Sequence, residues 1–128
     1  MSALSDYAEL KVLDHLLGTA TFTKPSAVYI GHAGQSLADD GSGTETSGNN
    51  YARQAITFAA ASSGSAVSNA TVNFPAATGS QGAITHFGIF DAASSGNLLA
   101  HGAFDSSKTI ATGDILRINS GSITITAA

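Results

Sequence analysis

Apolar residues in this chain keep two different rhythms. Over residues 5–17, Leu10, Leu13, Leu16 and Leu17 recur at three- and four-residue steps, with Tyr7 at the start of the stripe. That spacing predicts a helix with one apolar face. Ser5 or Asp6 can cap its start, Asp6 and Glu9 suit the positive end of the helix dipole, and Gly18 is a natural stop. Beyond Gly18 the rhythm shortens to that of β-strands. Residues 19–23 read as a short strand closed by Lys24-Pro25, since proline denies the ladder a donor. Residues 27–32 make a stronger one. Further strands are expected over 53–59, 66–74, 108–110, 115–118 and 123–126, separated by turns rich in Gly, Ser and Asn.

The densest apolar pattern is a hairpin, 84–90 and 98–104, reversed by Ser95-Gly96-Asn97. Neither arm alternates cleanly. Ile84 and Phe90 fall on one face of the first arm, Phe87 and Ile89 on the other. A strand with apolar groups on both faces is covered on both faces. The expected covers are a second sheet on one side and a helix or a neighbouring subunit on the other. The longest break, 34–50, carries Asp39-Asp40-Gly41-Ser42-Gly43 at its middle and reads as an interaction loop or a disordered one. With the helix, it is expected to hold much of any partner contact.

Together these elements predict an all-β fold. It is an antiparallel β-sandwich or jelly-roll-like domain of about eight strands with one N-terminal α-helix. Residues 1–18 form a helical segment packed on the same domain, and 19–128 form the sandwich. The leucine stripe either caps the β core or docks on a partner.

Composition sharpens the picture. The chain has 128 residues, enough for one core, and only 11% are charged. A surface so poor in charge favours burial in an assembly, here a homo-oligomer, dimer or trimer. The net charge is −4 and the five Lys and Arg are scattered, which argues against nucleic-acid binding. No apolar run suits a membrane span, and the first residues lack the pattern of a secretory signal, so synthesis in the host cytoplasm without membrane association is expected. There are no cysteines, which excludes disulfides and thiolate metal sites.

Candidate chemistry is sparse. His86 and His101 lie on the two arms of the hairpin. One register sets them directly across from each other; a slip of one residue sends them to opposite faces. His15 and His32 are on other elements, so no metal site is expected. The segment from Asp39 to Glu45 lacks the ligand pattern of an EF-hand, and Asp91, Asp105 and Asp114 each sit beside a turn. Nucleophile elbows and phosphate loops are missing as well. No catalytic, cofactor-binding or metal residue is assigned, no cofactor is expected, and the chain does not read as an enzyme. Arg53 and Arg117 interrupt apolar strands, and either could be a buried or interfacial arginine paired with a carboxylate.

Several motifs carry a family resemblance when taken in order. They are Leu4-Ser5-Asp6-Tyr7 running to Leu13-Asp14-His15-Leu16, Ala20-Thr21-Phe22-Thr23-Lys24-Pro25, Ser47-Gly48 before Tyr51-Ala52-Arg53-Gln54-Ala55, Asn73-Phe74-Pro75-Ala76-Ala77, and Thr85-His86-Phe87-Gly88-Ile89-Phe90-Asp91-Ala92. The chain is similar to a family of small tailed-bacteriophage virion proteins described as tail-fibre or head-decoration (cement) proteins. The resemblance implies a structural role in the virion and supplies no catalytic residues. The expectation drawn from it is a capsid decoration protein on the outside of the head, stabilising contacts between copies of the major capsid protein. The alternative is a tail or fibre component that binds a host-surface glycan.

Overall fold

The computed structural model describes residues 2–127. Its elements in chain order are β1 (Ser2–Leu4), α1 (Asp6–Leu16), β2 (Val28–Ala33), β3 (Gln54–Ile56), β4 (Ser65–Val67), β5 (Val72–Asn73), β6 (Gly82–Phe90), β7 (Leu98–Ile110), β8 (Arg117–Ile118) and β9 (Thr124–Thr126). The fold is mainly antiparallel β with one N-terminal helix, as the apolar rhythms predict. Five strands form one sheet in the order β1-β7-β6-β2-β3. Opposite it lie two ribbons, β4–β9 and β5–β8, in place of a second continuous sheet. The main core sits between these layers. Ile30, Phe87, Ile89 and Ala100 come from the large sheet, Val72 and Ile118 from one ribbon, and Phe74 and Ile123 follow and precede ribbon strands.

Residues 19–23 form no strand, contrary to expectation. Their alternation of threonine with Ala20 and Phe22 is β-like, but no neighbouring strand lies alongside to accept it. Residues 108–110 are the end of the long β7 and not a separate strand. The unexpected strand is β1, too short to carry a rhythm of its own.

The central hairpin is covered on both faces, but two irregularities redistribute its side chains. Ile89 lies opposite Ala100 and Phe90 opposite Leu98, so Leu99 is an extra residue without a partner. Such a bulge reverses the alternation. Leu98 therefore joins Phe90, Ala33 and Leu37 on one side, while Ala100 joins the main core on the other. A second shift, between Ile84 and His86, places Ile84 with Ala77, Ile110 and Phe104. Phe104 in turn touches Phe87, with ring centroids 5.5 Å apart. Ile84 and Phe90 thus end in different clusters, although simple alternation put them together. At the turn, Ser95 and Gly96 take the positive φ values of +55° and +72° that the reversal needs.

Within the chain the second cover of the hairpin is the 34–50 loop, not the helix. Gly31 and Gly88 face each other across β2 and β6. A Cβ on Gly31 would lie 2.5 Å from the Tyr51 hydroxyl, and one on Gly88 would lie 2.5 Å from Leu37 Cδ1. This glycine pair makes a flat lane on which the loop settles.

Candidate functional site

Helix α1 is fixed at one end and bare along its length. Its N-cap is Ser5, whose hydroxyl accepts from the Ala8 amide at 3.2 Å and donates to the Leu98 carbonyl. The Ser5 amide donates to the Leu99 carbonyl at 2.8 Å. The hairpin bulge thus offers two carbonyls, and one fully buried serine uses both while starting the helix. Beyond that anchor only Ala8 is buried. Leu10, Leu16 and Leu17 are 63%, 73% and 77% exposed, and Val12 and Leu13 are also exposed. The stripe does not cap the β core. Burying an apolar side chain of this size is worth about 1.5–3 kcal/mol, so five exposed together mark a surface made to be covered.

Beside the helix runs a groove of about 980 Å³. Leu4, Val12, Leu13 and Phe87 are its main apolar residues, and Thr124 and Thr126 of β9 stand on one wall. Among the described residues the charged ones lining it are Glu9 and Asp105, both acidic. The whole chain exposes 7096 Å², where a folded monomer of its mass exposes about 6,300 Å².

The 34–50 loop has the opposite character. Arg53 stands at its end. Its Nε and Nη2 bond the Glu45 carboxylate, the Nη2–Oε1 distance being 2.9 Å. Its Nη1 donates to the carbonyls of Ala92 and Ser95 at 2.9 and 2.7 Å. The guanidinium also lies over the Phe90 ring, 3.5 Å from the centroid. The side chains of Arg53 and Glu45 are 9% and 22% exposed, so the pair is mostly desolvated. One arginine therefore ties the loop, the hairpin turn and the sheet together. Arg117, by contrast, donates to Asn73 Oδ1 at 3.1 Å on the surface and meets no carboxylate among the described residues.

His32 lies under this staple, 0% exposed. Its Nδ1 is 2.8 Å from Thr46 Oγ1, and Nε2 has no partner among the described residues. Burial pulls its pKa from 6.5 down to about 4, against a smaller opposing effect of the Glu45 charge. The Tyr51 ring packs tilted against it, centroids 4.5 Å apart, and the Tyr51 hydroxyl accepts from the His32 amide at 3.1 Å and donates to Glu45. Its pKa is pushed up, first by burial and then by that carboxylate.

The remaining candidates stay apart. His86 lies across from Ala103 and His101 across from Gly88, so the two histidines are diagonal on one face and not opposed. His101 Nε2 meets Asp39 Oδ1 at 2.5 Å, and His86 Nδ1 meets Thr85 Oγ1 at 2.7 Å. His15 Nδ1 accepts from the Phe22 amide at 3.1 Å. Among the described residues no three potential metal ligands come together. Asp40 accepts from the Ser42 amide at 2.9 Å, a turn role that holds its pKa below the usual carboxylate value. Asp91 and Asp114 likewise accept backbone amides of Asn97 and Ala111. Sequence reasoning marked Arg53 but missed Glu45 and Leu37 as its companions. No local pattern announces them, because both lie in irregular chain.

Residues 3–126 match the model of a family described as Podophage GP4 fiber I protein gp80, a family of tailed-phage virion proteins. No curated protein matches the chain. No helix among the described residues is long and apolar enough to cross a membrane.

Proposed function

The chain belongs to the podophage fiber I family, and from that premise we propose that it is a structural, non-catalytic subunit of the phage tail or fibre apparatus. It works by burying surface against other virion chains, itself included. The observation that carries this reading is the exposed leucine stripe on a helix whose start is locked to the sheet by Ser5. A rigidly presented apolar face loses little entropy on docking, so its contact area converts efficiently into affinity. Repetition of a modest contact around a symmetry axis adds avidity through effective concentration.

The family description favours the tail over the head-shell position with the major capsid protein as partner. Labelled antibody against the chain, imaged on intact particles, tests this. Label at the tail, with few copies by quantitative mass spectrometry, is the expected result. Label spread over the head, with copies matching the shell lattice, would replace the fibre reading with capsid decoration.

A further inference from the structure

The leucine face of α1 turns away from its own subunit and carries acid on both flanks. Ala8 marks the inward side of the helix. Leu10, Leu13 and Leu17 follow it at steps that, at 3.6 residues per turn, carry them to the opposite side. Glu9 neighbours Leu13, and Asp14 neighbours Leu10, at the i to i+4 spacing that brings side chains together. Lys11 lies off this face, its Nζ 5.6 Å from the centroid of the Tyr7 ring. Two such faces set against each other would oppose acid with acid, so the complement is a surface both apolar and basic.

The same chain has such a surface. The groove beside α1 continues into a cleft of about 180 Å³, the two sharing Phe87, Ala103, Asp105 and Ser122. Ile84, Phe104, Leu116 and Ile118 make the cleft apolar. Beyond the shared Asp105, its charged residues among those described are Lys108 and Arg117, both exposed. Arg117 Nε donates to Asn73 Oδ1, which steadies the guanidinium. No described residue of α1 lines the cleft. Ser5 anchors the helix at the start of β7, and the cleft lies further along that strand, from Ala103 to Lys108. We propose that α1 of one copy lays its leucine face on the Lys108–Arg117 cleft of a second copy, whose own α1 does the same in return. Leucine then covers the apolar cleft, and Glu9 and Asp14 meet the two cations. Groove and cleft form one trough leading away from α1, so a two-fold axis across it closes both contacts at once. The pairing rests on the reading of the chain as an assembling subunit and names the partner of one of its surfaces.

The test uses the full chain. Sedimentation across a concentration range should show the wild type passing from monomer to dimer. Lys108→Glu with Arg117→Glu turns the cleft acidic, and Glu9→Lys with Asp14→Lys turns the helix face basic. Each double variant alone should dimerise more weakly by about tenfold or more, because like charges then meet at both contacts. An equimolar mixture of the two should dimerise again, as mixed pairs that differential mass labelling identifies. Denaturant midpoints of dilute protein check that each variant is folded. Should charge reversal disturb folding, Lys108→Gln with Arg117→Gln gives a milder loss of association by the same argument. Folded variants that associate like the wild type overturn the pairing, as do a mixture that stays monomeric and a wild type that never dimerises. Any of these results leaves the fibre reading standing so long as the chain is found in tails; absence from tails overturns that reading separately.

Discussion

Helix α1 and the 34–50 loop invert the usual relation between regular structure and burial. The helix has the clearest periodicity in the chain, yet its apolar face is exposed beyond Ala8. The loop has no periodicity, yet it places Leu37 at 3% exposure against Ala33, Phe90 and Leu98, and Glu45 in a mostly buried ion pair. Amphipathic spacing states that a face will be covered. It does not state by what. Conversely, a loop can be as firmly built as a sheet when the sheet offers it a flat lane and a buried charge to hold. The loop is built into its own subunit through Leu37 and Glu45, while the exposed apolar surface lies on the helix.

The largest expected effect is at the staple. Arg53→Ala leaves Glu45 buried without its partner, frees two turn carbonyls and uncovers Phe90, at a cost of about 4 kcal/mol. Denaturant midpoints of dilute protein check this. Leu37→Ala follows at about 3 kcal/mol, the usual result of deleting a well-packed core side chain. If Leu37→Ala costs no more than an ordinary surface change, the loop is a loose cover and the contrast with the helix collapses.

How much of this was legible in the sequence depends on the range of the forces involved. The helix and its Ser5 cap, the strand at β2, the hairpin and its Ser95-Gly96 reversal all follow from local rules of spacing and φ. The doubly covered hairpin was legible too, because Phe87, Ile89 and Phe90 admit no solvent-facing side. What covered its second face was not. The Leu99 bulge, the Gly31–Gly88 lane and the Glu45–Arg53 pair depend on residues brought together by the fold, and nothing within a few positions marks them. Residues 19–23 failed for the reverse reason. Their local pattern is β-like, but a strand exists only where another strand receives it.

Next in size is a pH effect confined to the loop side. His32 is buried and neutral, and its folded pKa of about 4 lies below the ordinary 6.5. The unfolded chain therefore takes up the proton first. Stability from this group is complete above pH 6.5 and falls as the pH drops toward 4, by up to about 3 kcal/mol. The charged and titratable neighbours are Glu45, Tyr51 and Arg53. The informative quantity is the difference from His32→Gln. Unfolding free energies of both proteins between pH 7 and 4 should converge as the pH falls. Parallel curves would mean that the loop opens enough to hydrate the ring, and the loop side would no longer be the rigid member of the pair.

The smallest effect on the isolated subunit is expected on the helix, and there the smallness is the point. Leu10, Leu16 and Leu17 touch little of their own fold, so changing all three to Gln should shift the subunit's stability by no more than about 0.5 kcal/mol each. Gln has nearly the helix propensity of Leu, so α1 itself should persist. The Ser5 cap and its bonds to Leu98 and Leu99 are untouched, which keeps the helix in place. Covering those leucines against a partner is a different matter. The apolar area lost with each is worth about 1.5 kcal/mol or more on docking, so incorporation of the triple variant into particles should fall steeply while circular dichroism and dilute denaturation barely change. A triple variant that unfolds would show the stripe to be part of the core after all. One that folds and incorporates as the wild type does would show that the leucines face water in the particle, and another surface would then have to hold the subunit.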